Sequence, residues 1–396
     1  MGTCFFRIPS RSAERSDNLT GSRDAPQRFA KSCPEWVPEG RGVWLDALSD
    51  GTAVVLALRG AQGLEPYGPN LSLGPFHSSF LLLLLPMPSD APAFHDLFDF
   101  QVNGFAGIDY QRDDVTLEQI RASVDGLHRH GTSRIFATFI TDEVDQLCRR
   151  YERLEKFRAA DPVIASMFVG YHLEGPWLCP DEGYRGAHPP GPMGPPSLVE
   201  FERLQSAAGG RIKLVTLAPE WPGSPEFIAA LVAQGIHISL GHTNASAAHI
   251  DAAIKAGARF CTHLGNAAPQ MMHRHDNVIQ RLLARDELTA CLIPDGIHLP
   301  PFVVQNFFRA KPAGKVLFTT DCMSGAGAGP GRYTIGLHPI EVGNDGIARN
   351  PGSGGGFAGS TLAPDDGVRN VAKFLGISIG ESHRLWSTAA AAAFGV

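Results

Sequence analysis

No apolar run in this chain is long enough to span a bilayer. The longest, Phe80 to Pro86 (FLLLLLP), falls far short of the ~20 residues a membrane helix needs, and it lies too deep in the chain for an ordinary signal peptide. Cysteine is sparse and scattered: seven residues, at 4, 33, 148, 179, 261, 291 and 322, with no CxxC. An odd, irregular set excludes a disulfide framework and points to reduced thiols in a cytoplasmic setting. The sequons at Asn18, Asn70 and Asn244 mean little without secretion. Neither sign of charge dominates, with 34 Lys and Arg against 40 Asp and Glu and a net charge of −6. That excludes a general nucleic-acid or polyanion surface, so an anionic ligand would need a local cationic pocket. A GxxxxGK[ST] phosphate loop is missing, and Asn103-Gly104-Phe105-Ala106-Gly107 is a poor dinucleotide loop, which weighs against an open doubly wound sheet. There is no internal repeat.

What is present is core material and a regular text. Hydrophobic residues make up 43% of 396 and charged residues 19%, a globular composition. Residues 1–40 are polar and read as a disordered leader. Residues 41–95 read as a partial β-sandwich or irregular region, with two short strands around Ser49-Asp50-Gly51. From residue 96 to 396, strands alternate with helices. Strands are expected at 96–104, 134–141, 167–174, 211–218, 236–242, 259–263, 288–294 and 316–321. Helices are expected at 117–130, 142–160, 197–208, 225–234, 245–256, 302–309, 368–375 and 381–394. Eight strands in such an alternation predict a (β/α)8 barrel.

Catalysis in that fold sits at the C-terminal lip of the strands. The third strand runs through FVGYHLEGPW (168–177) and ends in Glu174, broken at once by Gly175-Pro176. The fifth ends at His242, the sixth at His263 and the eighth at Asp321. Singly, each has an ordinary explanation: a loop carboxylate, a core histidine, a helix N-cap. Together on one lip, Glu174, His242 and His263 make a three-ligand shell that leaves one position open, as catalytic metal sites do. Zinc fits this set, and iron or manganese could also occupy it. Asp321 is then a free carboxylate able to carry a proton between a water and a leaving nitrogen.

The motifs HLEGPWL (172–178), GHTNA (241–245), THLGNA (262–267), DGIH (295–298), TTDCM (319–323), GRYTIG (331–336) and AGSTLAPDDGVRN (358–370) resemble, in order, those of the N-acetylglucosamine-6-phosphate deacetylase family of the amidohydrolase superfamily. The resemblance covers residues 96–396. It implies a metal-dependent barrel that hydrolyses the N-acetyl group of N-acetylglucosamine 6-phosphate to glucosamine 6-phosphate and acetate. It puts the metal ligands on Glu174, His242 and His263 and the catalytic carboxylate on Asp321. It also implies that His188, in GAH (186–188), holds the substrate near the carbonyl, that Asn266 and Ala267 line the sugar-phosphate pocket, and that Arg274 and His298 bind the phosphate. The family's Arg comes from the neighbouring subunit, so a homodimer is implied. Gln101 and Asn103 stand where many amidohydrolases carry His-x-His for a second metal. Neutral amides are poor zinc ligands, so one metal per subunit is expected, with Gln101 left to hydrogen-bond a water or a neighbouring group. Rival readings on the same barrel are another amide hydrolase, such as an N-acyl-amino-acid deacylase, and a truncated, non-catalytic sugar-phosphate binder.

Overall fold

The computed structural model describes residues 94–351 and 356–396. The leader expected at 1–40 lies outside the described residues, as do the strands expected around Ser49-Asp50-Gly51.

Eight parallel strands form one sheet: β1 (Leu97–Val102), β4 (Thr132–Ile140), β5 (Phe168–Glu174), β6 (Ile212–Leu217), β7 (His237–Leu240), β8 (Phe260–Cys261), β9 (Thr289–Leu292) and β10 (Val316–Phe318), adjacent in that order. Both faces are covered, so they read as nearly continuous buried runs rather than alternating ones. The expected barrel is therefore the observed one. The ladder stops at β10. The seam back to β1 is held by a single parallel bridge, Val102 to Cys322, and by Asn103 N–H donating to Cys322 O at 2.8 Å.

The helices between strands form for legible reasons. In α1 (Leu117–Arg129), Thr116 and Gln119 make a reciprocal capping box, and Ile120, Val124 and Leu127 bury one stripe against the barrel. In α2 (Val144–Ala160), Leu147, Tyr151 and Leu154 do the same, and α3 (Pro162–Met167), not anticipated from the sequence, starts on the Asp161 side chain. The outer layer continues with α4 (Leu198–Ala207), α5 (Ser224–Ala233), α6 (Ala247–Ala256), α7 (Val278–Leu283) and α8 (Pro301–Ala310). After β10 the chain adds α9 (Pro364–Leu375), with Pro at its start, Asp365 and Asp366 in the first turn, Lys373 in the last and left-handed Gly376 behind it.

Residues 381–394 are not one helix. They divide into α10 (Ile379–Trp386) and α11 (Thr388–Phe394), because Ser387 leaves helical geometry (φ −120°, ψ −95°) and its hydroxyl donates to His383 O at 2.7 Å. The break aims Phe394 into the barrel floor, where it meets Phe98, Phe100, Phe136, His237 and Phe260 at ring separations of 4.8–6.0 Å. Burying one such ring is worth about 2–3 kcal/mol, and the plug closes the end opposite the lip.

Two small sheets were also not anticipated. One is the hairpin β2 (Gly104–Phe105) with β3 (Ile108–Asp109). The other is the antiparallel set β11 (Gly331–Ile335), β12 (His338–Val342) and β13 (Ala348–Arg349), which packs Ile335, Ile340 and Val342 onto Ile140, Met323 and Ala187 beside the lip. No described helix is long and apolar enough to cross a membrane.

Candidate active site

β5 delivers Glu174 as its last residue, and Gly175 (φ +93°) turns the chain away at once; a Cβ there would run into Thr141 Oγ1. His242 stands two residues beyond β7. The preceding Gly241 is required by space, since a Cβ would come within 2.8 Å of Thr262 and 2.9 Å of Thr216. His263 stands two residues beyond β8 and Asp321 three beyond β10.

These side chains converge. Glu174 Oε1 lies 3.2 Å from His242 Nε2 and 3.1 Å from His263 Nε2, and the two Nε2 atoms are 3.1 Å apart. All three residues are buried. His242 Nδ1 sits 2.9 Å from Tyr184 O, so that nitrogen is the donor and Nε2 presents a lone pair inward. Two imidazole nitrogens and a carboxylate oxygen crowded onto one point, with His263 Nδ1 buried and unpartnered, fit a bound divalent cation better than they fit one another. Burial pushes the Glu174 carboxyl up, but the adjoining His242 and His263 imidazoles outweigh it and hold the group well below its ordinary value.

Around this cluster lie the groups that complete it. Gln101 Nε2 donates to Glu174 Oε1 at 3.2 Å, and Asn103 Nδ2 donates to Asp321 Oδ1 at 2.8 Å. Burial, then the charge of Glu174, pushes Asp321 up to about 8 in the absence of a cation. His188 Nε2 is 3.9 Å from Glu174 Oε2. Its Nδ1 accepts from Thr141 N–H at 3.3 Å, with Thr141 Oγ1 at 2.8 Å, so Nε2 carries the proton and points inward. Burial, reinforced by His242, holds His188 well below its ordinary value, so the ring is neutral.

Six described non-glycine residues have positive φ, and four of them are His242 (50°), His263 (29°), Ala267 (49°) and Asp321 (49°). Such conformations cost about 1–3 kcal/mol each and gather at functional sites.

The pocket residues are spread wider. Asn266 is tied to His263 O through both its backbone N–H (3.0 Å) and its side chain (3.1 Å). His298 Nδ1 is 2.6 Å from Asp295 Oδ2, and its ring packs on Phe357 at 5.1 Å. Arg274 is exposed, and among the described residues no carboxylate pairs with it; the structure does not bring it into the cluster.

No family profile matches the chain. Individual proteins do. An N-acetylglucosamine-6-phosphate deacetylase of Bacillus subtilis is 33% identical over 312 residues, 78% of this chain and 77% of that one. The chain belongs to the N-acetylglucosamine-6-phosphate deacetylase family. Among solved structures, a mutant of the Mycobacterium smegmatis N-acetyl-D-glucosamine-6-phosphate deacetylase in complex with N-acetyl-D-glucosamine-6-phosphate aligns with a TM-score of 0.69 at 30% identity, covering 76% of this chain and 78% of that one. An N-acetylgalactosamine-6-phosphate deacetylase of Escherichia coli is 29% identical over 303 residues, 75% of this chain and 77% of that one.

Sequence reasoning missed several residues that shape this deacetylase-family site. Thr141 orients His188, and the Tyr184 carbonyl orients His242. Glu220 holds Thr243 Oγ1 and Asn244 N–H just after His242. Each comes from a loop distant in sequence from the residue it holds, so no local pattern marks it. His172, though beside Glu174 in sequence, is structural: fully buried between Thr138 and Thr216, and pushed down to about 4 by burial.

Proposed function

We propose that this chain hydrolyses the N-acetyl group of N-acetylglucosamine 6-phosphate, giving glucosamine 6-phosphate and acetate, with one divalent cation, zinc, per subunit. The observation that carries it is the convergence of Glu174, His242 and His263 beside Asp321 and neutral His188. Bound by that triad, the cation would supply Lewis-acid polarisation of the acetyl carbonyl. His188 Nε2–H donates to the same carbonyl oxygen. Asp321 takes a proton from the attacking water as its oxygen bonds to the acetyl carbon. It returns that proton to the nitrogen as the C–N bond breaks, so the amine leaves neutral and acetic acid remains, which gives up its own proton to become acetate. A cation held by the triad would lower the Asp321 pKa, so that this carboxylate serves as the base.

A single metal is supported by Gln101, whose amide donates to Glu174 Oε1 where a second cation would need a ligand. Asn266 and the Ala267 backbone line the sugar, and Arg274 with His298 takes the phosphate, Arg274 reaching from the partner of a homodimer. The cytoplasm is the compartment we assign, in keeping with five described cysteines that are all free thiols.

The N-acetylgalactosamine-6-phosphate deacetylase relative motivates a second substrate, the epimeric sugar phosphate. The deciding experiment is acetate release from N-acetylglucosamine 6-phosphate, N-acetylgalactosamine 6-phosphate and a set of N-acetyl amino acids, with metal content measured on the same sample. Highest kcat/KM on the glucosamine compound is the expected result. Preference for the epimer or for an acyl amino acid would replace the substrate, and a metal-free, inactive, folded protein would overturn the deacetylase assignment.

A further inference from the structure

β1 and β10 are the ends of the sheet, and a carboxylate lies in the seam between them. Asp99 is fully buried. One of its oxygens accepts from Thr319 Oγ1 at 2.5 Å and the other from Thr320 Oγ1 at 2.5 Å. Thr320 N–H lies 3.3 Å from both oxygens, and Gln101 N–H donates to Oδ1 at 3.3 Å. These donors come from β1 itself and from the segment that leads into Asp321.

The Thr320 hydroxyl does two things at once. It donates to Asp99, and it accepts from Cys322 N–H at 3.1 Å. It thereby fixes the residues on both sides of Asp321, whose φ is +49°. Ser360 grips the same turn, its hydroxyl donating to Thr320 O at 2.5 Å and its N–H to Asp321 O at 2.9 Å. An apolar seam would be the cheaper way to close a barrel, because a buried carboxylate loses hydration that its partners only partly replace. Burial indeed pushes Asp99 up to about 6. The group is therefore better explained by what it orients than by closure.

We propose that Asp99 is a positioning residue for Asp321: through Thr319 and Thr320 it holds the strained turn that aims the Asp321 carboxylate at the Glu174–His242–His263 cluster. This rests on the proton-carrier role given to Asp321 under Proposed function. Asp99 touches none of the three cluster residues, so its loss should spare metal binding.

The test is a set of variants of the full chain. Asp99→Asn and, as a milder isosteric change, Thr320→Val should lower kcat about 10–100-fold, the scale expected for an ångström of misplacement, with KM within about 2-fold and metal content unchanged. Thr320→Ser, which keeps the hydroxyl, should restore kcat. In an Asp321→Asn background the Thr320→Val change should add no further loss, since there is no carboxylate left to aim. A full multiplicative loss in that background, a matching loss of metal, or unchanged kcat in folded Thr320→Val would overturn the proposal. A crystal structure of metal-free Thr320→Val gives a readout independent of turnover. Asp321 should leave its 2.8 Å contact with Asn103 while Glu174, His242 and His263 stay in place; an unmoved Asp321 would overturn the proposal even if the wild type proved inactive on every amide tried, an outcome that would itself sink only the functional assignment.

Discussion

Asn103 donates to Asp321 Oδ1 at 2.8 Å, across the one seam of the barrel that has no backbone ladder. Strand β1 thus supports both halves of the site, since Gln101, two residues earlier, donates to Glu174 Oε1. A register irregularity between Asp99 and Val102 makes this possible. Phe100 packs on Phe394 in the floor while the next residue, Gln101, reaches Glu174; a regular strand would send neighbouring side chains to opposite faces.

Replacing Asn103 by Asp should therefore be worse than replacing it by Ala. Two carboxylates at hydrogen-bond distance cannot both ionise, so one proton would be trapped on the pair and Asp321 would lose its basicity. The expected loss in kcat for Asn103→Asp is about 100-fold or more at neutral pH, against about 10-fold for Asn103→Ala, on the scale of general-base contributions. Steady-state acetate release at pH 7 checks it, and equal losses in the two variants would show that the amide does no more than fill space.

Metal removal should cost both activity and stability. The triad collects two nitrogens and one oxygen that have no good mutual arrangement without a cation. A chelator should abolish acetate release and lower the melting temperature. Reloading with zinc at 100 times its Kd should stabilise the fold by about 2.7 kcal/mol. Glu174→Gln, His242→Ala and His263→Ala should each lose the metal by elemental analysis, whereas Asp321→Asn should keep it and lose about 1,000-fold or more in kcat, the upper range of general acid–base effects. Metal loss in Asp321→Asn would instead place that carboxylate among the ligands.

The pH dependence of the metal-free protein, taken relative to Asp321→Asn, isolates Asp321. Its folded value, about 8, lies above its ordinary value of 3.8, so between those limits the native state holds a proton that the unfolded chain does not. This contribution is fully present below pH 4 and is lost as pH rises toward 8. The slope is at most ~1.4 kcal/mol per pH unit, and less in practice because Asp321 is only partly buried. Asp99 and Asp109, each pushed up to about 6 by burial, add slopes of the same sign that end near pH 6. Glu174, held low, acts in the opposite sense and only below its ordinary 4.5. His172 and His188, held low by burial, stay neutral in the native state while the unfolded chain protonates them below their ordinary 6.5, so they raise stability as pH rises through that value. In denaturant unfolding of the metal-free proteins, the stability of wild type relative to Asp321→Asn should therefore fall from pH 6 to pH 8. Parallel curves for the two proteins would remove Asp321 from the account.

Much of this was legible beforehand, for a physical reason. Fully buried parallel strands leave long apolar runs, and the fold puts chemistry where those runs end, so Glu174, His242, His263 and Asp321 could be picked out by position alone. What could not be read was anything supplied by a loop distant in sequence. Thr141 under His188 and the Tyr184 carbonyl under His242 have no local signature. The left-handed turns at His242, His263 and Asp321 are invisible because none of them is a glycine. Asp99 was in view as an acid within a buried strand, but its partners lie about 220 positions away in sequence. The break at Ser387 is a tertiary decision as well: uninterrupted helical propensity from 381 to 394 yields to the packing of Phe394 in the floor.

Arg274 is the residue whose proposed role calls for a second copy of the chain. It is exposed and pairs with no carboxylate among the described residues, while His298 has its Nδ1 committed to Asp295 and only Nε2 left for a ligand. A guanidinium on a phosphate is a charge-assisted, often bidentate contact worth roughly 1.5–3 kcal/mol, so Arg274→Ala should raise KM for N-acetylglucosamine 6-phosphate about 10–100-fold with kcat little changed. N-acetylglucosamine without the phosphate should be handled equally by both proteins; an equal loss on both substrates would show that Arg274 does not read the phosphate. Mixing then asks where the arginine comes from. Arg274→Ala retains Asp321, and Asp321→Asn retains Arg274. If Arg274 crosses to the partner's site, a mixed dimer contains one complete site, and co-refolding the two variants should restore low-KM turnover that neither shows alone. If Arg274 serves its own subunit, every site in the mixture lacks one of the two groups, and the KM of the mixture should stay that of Arg274→Ala.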